Sequence, residues 1–174
     1  MRELADARWN LTHDLVHTET GEIRYDLVAT DPSTTLRLRS IREFAEPQRF
    51  LLTGQHDAID PRRPWHLAAQ TPHPASLAAA IHAARPSNHP RAPLSRMLRG
   101  SGWQIDEWQA ADRVVITYTS PADCQPLQAS FVAKIDGSAP HWKIRLPQGQ
   151  PATASPDIPA PVLCSFLLSA AAEA

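Results

Sequence analysis

The chain has 174 residues, with 17 Lys+Arg against 18 Asp+Glu, a formal charge of −1 and 43% apolar residues. That balance excludes a chain dominated by a charged disordered tail. No run approaches the ~18–20 apolar residues of a membrane-spanning helix, since the longest, Pro161–Ala172, is interrupted by Ser165 and Ser169. The length suffices for one full core or two small ones packed together. Cys124 and Cys164 lie far apart with no CxxC spacing, and Met1–Asp6 lacks the apolar stretch of a secretory signal. Two free thiols in such a chain point to a reducing, cytoplasmic setting.

Taken in order, Arg2–Ala7 reads as a short helix and Arg8–Leu11 opens a first strand with Trp9. Ile23, Tyr25, Leu27 and Ala29 share one face of a second strand that ends at the turn Thr30-Asp31-Pro32. Leu36 and Leu38 share a face of a third. Phe44–Pro64 contains Phe50-Leu51-Leu52 and reads as an extra strand followed by a long loop. Trp65–Ala69 is the next strand, and Ala75–Arg85 is an Ala-rich helix opened by Pro74, which suits a first helical turn. Pro86-Ser87-Asn88-His89-Pro90 breaks the chain.

The second half repeats the plan. Leu94–Arg99 is a short helix and Gly102–Ile105 opens a strand with Trp103. Val114, Ile116 and Tyr118 alternate with Arg113, Val115 and Thr117, and that strand ends at Ser120-Pro121. Leu127, Ala129, Phe131 and Ala133 alternate with Gln128, Ser130, Val132 and Lys134. Trp142, Ile144 and Leu146 alternate with Lys143 and Arg145. Pro147–Pro159 reads as a mobile Pro-rich loop, and Pro161–Ala172 as a closing helix. Period-two alternation means strands with one apolar and one wet face. The expected fold is therefore α+β: two β-β-β-β-α repeats, 1–86 and 94–174, joined by a linker at 87–93. Two antiparallel sheets, each covered on one face by a helix, are expected about a pseudo-two-fold axis. Trp9, Trp65, Trp103 and Trp142 are expected at equivalent positions as core anchors.

The run Leu94–Trp103, a helix ending in Gly-Trp, leads to Tyr118-Thr119-Ser120-Pro121-Ala122-Asp123 and then Pro140-His141-Trp142-Lys143-Ile144. This order resembles an actinobacterial family of unknown function whose duplicated unit is the SPDY domain, named for a Ser-Pro-Asp-Tyr motif. Here Ala122 interrupts that motif and no Tyr follows Asp123. The family implies no catalytic residues. In topology alone, four strands and a helix twice over is similar to the Whirly proteins and the related transcriptional-coactivator fold, which implies single-stranded DNA on the sheet. Fold likeness is associational.

Candidate chemistry is sparse. His13-Asp14-Leu15-Val16-His17 has the outline of an HExxH zinc motif with Asp for Glu, but that motif needs a helix to bring both imidazoles to one face. Thr12, Val16, Thr18 and Thr20 are poor helix formers, so strand-borne histidines are expected there. His56, His66, His73, His82, His89 and His141 have no ligand spacing. Cys164, among Val162, Leu163, Phe166 and Leu167, reads as a buried thiol. No nucleophile elbow or Gly-rich phosphate loop is present. The expectation is a non-enzymatic module with no cofactor, no metal and no membrane attachment.

Charge placement is the remaining signal. The outward parity of the strands collects Arg24, Arg37, Arg39, Arg113, Lys134, Lys143 and Arg145, against Asp14, Asp26 and Asp106. Trp108 offers a stacking surface on the same side. Cations for phosphates and a π-face for unpaired bases are what single-stranded DNA or RNA binding requires. The mechanism expected is phosphate neutralisation by Arg37, Arg39, Lys143 and Arg145 with stacking on Trp108. The alternative is a protein-interaction or assembly module, with a protein partner or a homo-oligomer formed through the helices or a sheet edge.

Overall fold

A computed structural model of the chain describes residues 9–17, 23–32, 35–43, 46–55, 64–70, 74–85, 92–136 and 138–172. The helix expected at Arg2–Ala7, the linker around Pro86–Pro90 and the turn-rich stretch at 57–63 lie outside them.

The first half supplies five strands, β1 (Asn10–His17), β2 (Ile23–Thr30), β3 (Arg37–Glu43), β4 (Arg49–Gly54) and β5 (Trp65–Gln70), then helix α1 (Pro74–Ala84). The second opens with helix α2 (Leu94–Gly100) and continues with β6 (Gln104–Gln109), β7 (Arg113–Thr119), β8 (Gln128–Lys134) and β9 (His141–Arg145). A 3-10 turn at Pro147–Gly149 leads to β10 (Pro151–Ala154), and α3 (Ala160–Ala172) ends the described chain.

The strands form one ten-stranded sheet in the order β1-β2-β3-β4-β5-β10-β9-β8-β7-β6, antiparallel throughout. The expectation of two sheets, each under its own helix and related by a pseudo-two-fold axis, is thus corrected to a single sheet. The physical reason is β10. With Pro151–Ala154 read as loop, β5 and β9 would each keep a row of unpaired backbone groups, and each half would close as a separate sheet. Instead β10 pairs Ala154 with Leu67 and Ala152 with Ala69 on one side, and Ala154 with Trp142 and Ala152 with Ile144 on the other. Ser155 extends the seam: its hydroxyl accepts the His66 N–H at 3.0 Å, and its own N–H donates to the His66 carbonyl at 3.0 Å. Pro151 is tolerated because it is the first residue of its strand.

Each half therefore contributes five strands rather than four. The segment read as lacking a counterpart, Phe44–Pro64, contains β4, which stands next to the seam as β9 does. Trp9 and Trp103 both precede the edge strands β1 and β6, as expected. Trp65 and Trp142 do not correspond: Trp65 lies on the seam strand β5 and Trp142 on β9. Their surroundings differ too. Trp142 packs against Tyr118 and Phe131 at centroid distances of 5.7 and 5.1 Å, whereas Trp65 lies opposite Gly54. All four are buried, so each is a core anchor.

One face of the sheet carries the core. Ala29, Leu38, Leu52, Leu67, Ala69, Ala152, Ala154, Ile144 and Ala129 join Leu77, Ala80, Leu98, Val162, Phe166 and Leu167 of the helices in a single buried cluster. Within the helix layer α3 packs against α1 and also touches α2.

In each half the turn after the second strand is fastened to the end of a helix. Asp31 N–H donates to the Leu36 carbonyl at 3.0 Å, and Ser120 N–H to the Leu127 carbonyl at 3.0 Å. The buried Asp31 carboxylate faces the Arg85 guanidinium at 3.7 Å, just past α1. The counterpart is a backbone bond, from the Gln125 N–H to the Ala171 carbonyl of α3 at 2.9 Å. Ser120, the serine of the motif-like stretch, donates its hydroxyl to the Gln125 carbonyl at 2.8 Å and accepts the Leu127 N–H at 2.9 Å. Its role in this fold is to close that turn.

A Cβ built on Gly54 would overlap Cζ2 and Cε2 of the fully buried Trp65 ring. Gly54→Ala should lower stability by about 1–3 kcal/mol through overpacking, read as a lower urea midpoint with an unchanged slope.

Candidate functional site

Strand alternation makes the second face of the sheet the solvent side. Cross-strand register carries one row across all ten strands: Thr12, Val28, Arg39, Leu51, Ala68, Thr153, Lys143, Ser130, Thr117 and Asp106. The parity of that row places Arg24, Arg37, Arg39, Trp108, Arg113, Lys134, Lys143 and Arg145 together on the open face. Arg49 joins them, opposite Gln70. It escaped the sequence reading because the extra strand read at Phe50-Leu51-Leu52 was given no parity and so no face. The acidic positions that the same register puts on this face are Asp14, Asp26, Asp106 and, opposite Arg24, Glu43.

Sharing a face does not make these cations equally available. Asp26 is buried, with a side chain 3% exposed, and two arginines converge on it. Arg24 Nε lies 3.2 Å from Asp26 Oδ1, and Arg24 Nη2 donates to Oδ2 at 3.2 Å. From the neighbouring strand Arg39 Nε donates to Oδ2 at 3.1 Å, with Arg39 Nη2 on the same oxygen. Arg113 and Lys134 face each other across β7 and β8. Arg113 Nη2 is drawn to Asp112 at 2.8 Å, and Lys134 Nζ to Asp136 at 4.0 Å. The Arg113 hydrogen bond holds the Asp112 carboxyl below its ordinary value. A hydrogen bond from Ser138 does the same for Asp136. Arg49 meets Glu46 at 3.2 Å. Among the described residues no carboxylate lies within 4.0 Å of Arg37, Lys143 or Arg145.

The free cations form two banks. Arg37 stands on β3, and Lys143 and Arg145 on β9, four strand spacings away or about 19 Å. Between them the row is floored by Leu51, Ala68 and Thr153. A shallow depression of about 320 Å³ beside the first bank is lined by Val28, Leu51, Thr53, Arg37, Arg39, Asp14 and Asp26. Trp108 lies on the edge strand β6, three strand spacings from Lys143, and is 57% exposed. It faces Val115, which faces Val132, which faces His141, an apolar strip across the second half of the open face.

The other candidates resolve simply. His13, Asp14 and Leu15 lie on β1 rather than a helix, so His13 and Asp14 occupy opposite faces. The His13 ring nitrogen Nδ1 is hydrogen-bonded to the Tyr25 hydroxyl. Among the described residues no three His, Cys, Asp or Glu side chains are grouped to hold a metal ion, and no helix is long and apolar enough to cross a membrane. Cys164 is 2% exposed, and burial pushes its thiol pKa up. Tyr118 is buried against Trp142, away from the open face, as its parity indicates. No protein family, curated protein or solved structure matches the chain.

Asp26→Asn removes the charge that holds Arg24 and Arg39 and should cost about 1.5–3 kcal/mol of stability, measured by chemical denaturation. Arg37→Gln, which breaks no ion pair described here, should leave the unfolding midpoint unchanged.

Proposed function

We propose that the open face of the sheet binds single-stranded nucleic acid. The observation that carries this reading is the gathering of eight of the chain's 17 Lys+Arg on one sheet face, in a chain of formal charge −1. Phosphates require cations, and those with no carboxylate partner among the described residues, Arg37, Lys143 and Arg145, are the groups that gain most from meeting one. The floor between the banks is made of short side chains, so a backbone crossing it meets no wall. Unpaired bases require an apolar, preferably aromatic, surface, and the exposed Trp108 with the half-buried Val115 beside it supplies one on the same face. Arg24 and Arg39 serve chiefly to neutralise Asp26, so phosphate contact shifts toward Arg37 and the β9 pair.

The test is fluorescence anisotropy with a labelled oligothymidylate at ~50 and ~200 mM salt. If Arg37, Lys143 and Arg145 each neutralise one phosphate, affinity should fall about twentyfold between the two conditions. Lys143→Glu with Arg145→Glu should weaken binding and flatten that salt dependence. Trp108→Ala should weaken binding by about 1–3 kcal/mol per stacked base while leaving the salt slope unchanged. No binding at ~50 mM removes the proposal.

A further inference from the structure

The sheet is open, and its two edges differ. At one edge, β6 carries Asp106 and Glu107 at its centre, one on each face. A symmetric antiparallel pairing centred on either would set like carboxylates against each other, which protects that edge. The other edge, β1, carries a single central carboxylate, Asp14, on the open face, and none among the described residues on the helix side. On the helix side of the sheet Leu11 and Leu15 are 36% and 64% exposed, beside Tyr25 on β2 at 39%.

We infer that β1 is a homodimer interface, in which two copies of the chain pair β1 against β1 antiparallel about a two-fold axis through His13. The argument is self-complementarity. A two-fold axis normal to the sheet keeps every side chain on its own face, so only residues of like parity face each other. Centred on His13, this places Leu11 opposite the partner's Leu15 and Leu15 opposite the partner's Leu11. The exposed leucines of both copies are then covered together. On the open face the same register sets Thr12 opposite the partner's Asp14, a hydroxyl donor against a carboxylate. Centring on Asp14 opposes two carboxylates. Centring on Thr12 leaves Leu15 beyond the start of the partner's strand at Asn10. Of the registers centred on these three middle residues, that on His13 alone satisfies both faces, and it closes as a dimer because each edge is used once. The open faces then continue into one another, so two cationic surfaces would form a single longer one. The dimer itself is independent of nucleic-acid binding.

The test is size-exclusion chromatography with light scattering on the full chain, without nucleic acid, across a concentration series. The mass should be twice the chain's 19.2 kDa, falling to a single chain in Leu15→Lys, whose exposed position leaves the circular dichroism spectrum unchanged. In a Cys124→Ser background, His13→Cys should form disulfide-linked dimers on mild oxidation, because residues on the axis have Cα atoms about 4.5–5.5 Å apart. Leu11→Cys should not link to itself, lying four residues from its own symmetry mate. A chain that stays monomeric at every concentration overturns the inference. So does a dimer that survives Leu15→Lys, or one in which Leu11→Cys links as readily as His13→Cys.

Discussion

The structure depends on a strand of four residues. Among the described residues, the pairing of β10 with β5 is the strand contact that joins the two halves of the sheet. Without it β5 and β9 would be raw edges, each presenting unpaired N–H and C=O groups. Its inward residues, Ala152 and Ala154, are buried in the same cluster as Ala69, Ala80 and Ala170. Pairing β5 with β10 also joins positions far apart in sequence, so the loop-closure entropy of the whole second half is met when the seam forms. The seam is therefore expected to close late in folding, after the local hairpins.

Much of the fold was legible because alternation is a strong signal in long strands. β7, β8 and β9 show it cleanly, and β2 and β3 show it through Leu27, Ala29 and Leu38. β10 carried no such signal. Three of its four residues, Pro151, Ala152 and Ala154, have low strand propensity, and prolines flank it on both sides, so local chemistry favours a loop. Tertiary pairing on both sides overrides that preference. The repeat was consequently aligned one strand out of step, with Trp142 matched to Trp65, because a Trp-led strand is a more conspicuous marker than a short run of small residues.

The open face was legible for the same reason, since parity alone assigns a residue to a side. What parity cannot give is pairing between strands. Asp26 draws Arg24 from its own strand and Arg39 from the next, and the second contact depends on the register of β2 with β3. Seven cations of similar appearance thus divide into some that stabilise the protein and some that remain open to a ligand. Arg49 illustrates the complementary failure: its chemistry and its strand were visible, but Phe50-Leu51-Leu52 shows no alternation from which to read the strand's faces.

The two turns fastened to helix ends solve one mechanical problem with different chemistry. In the first half the tether is a carboxylate facing a guanidinium that is 46% exposed; in the second it is an amide on a carbonyl. Dissolved ions reach the former through the exposed guanidinium, though less than a fully exposed pair because Asp31 is buried, and scarcely touch the latter. Raising the ionic strength should therefore loosen the first helix end selectively, so that amide exchange near Arg85 quickens while that near Ala171 holds, and the two halves would age unequally in brine.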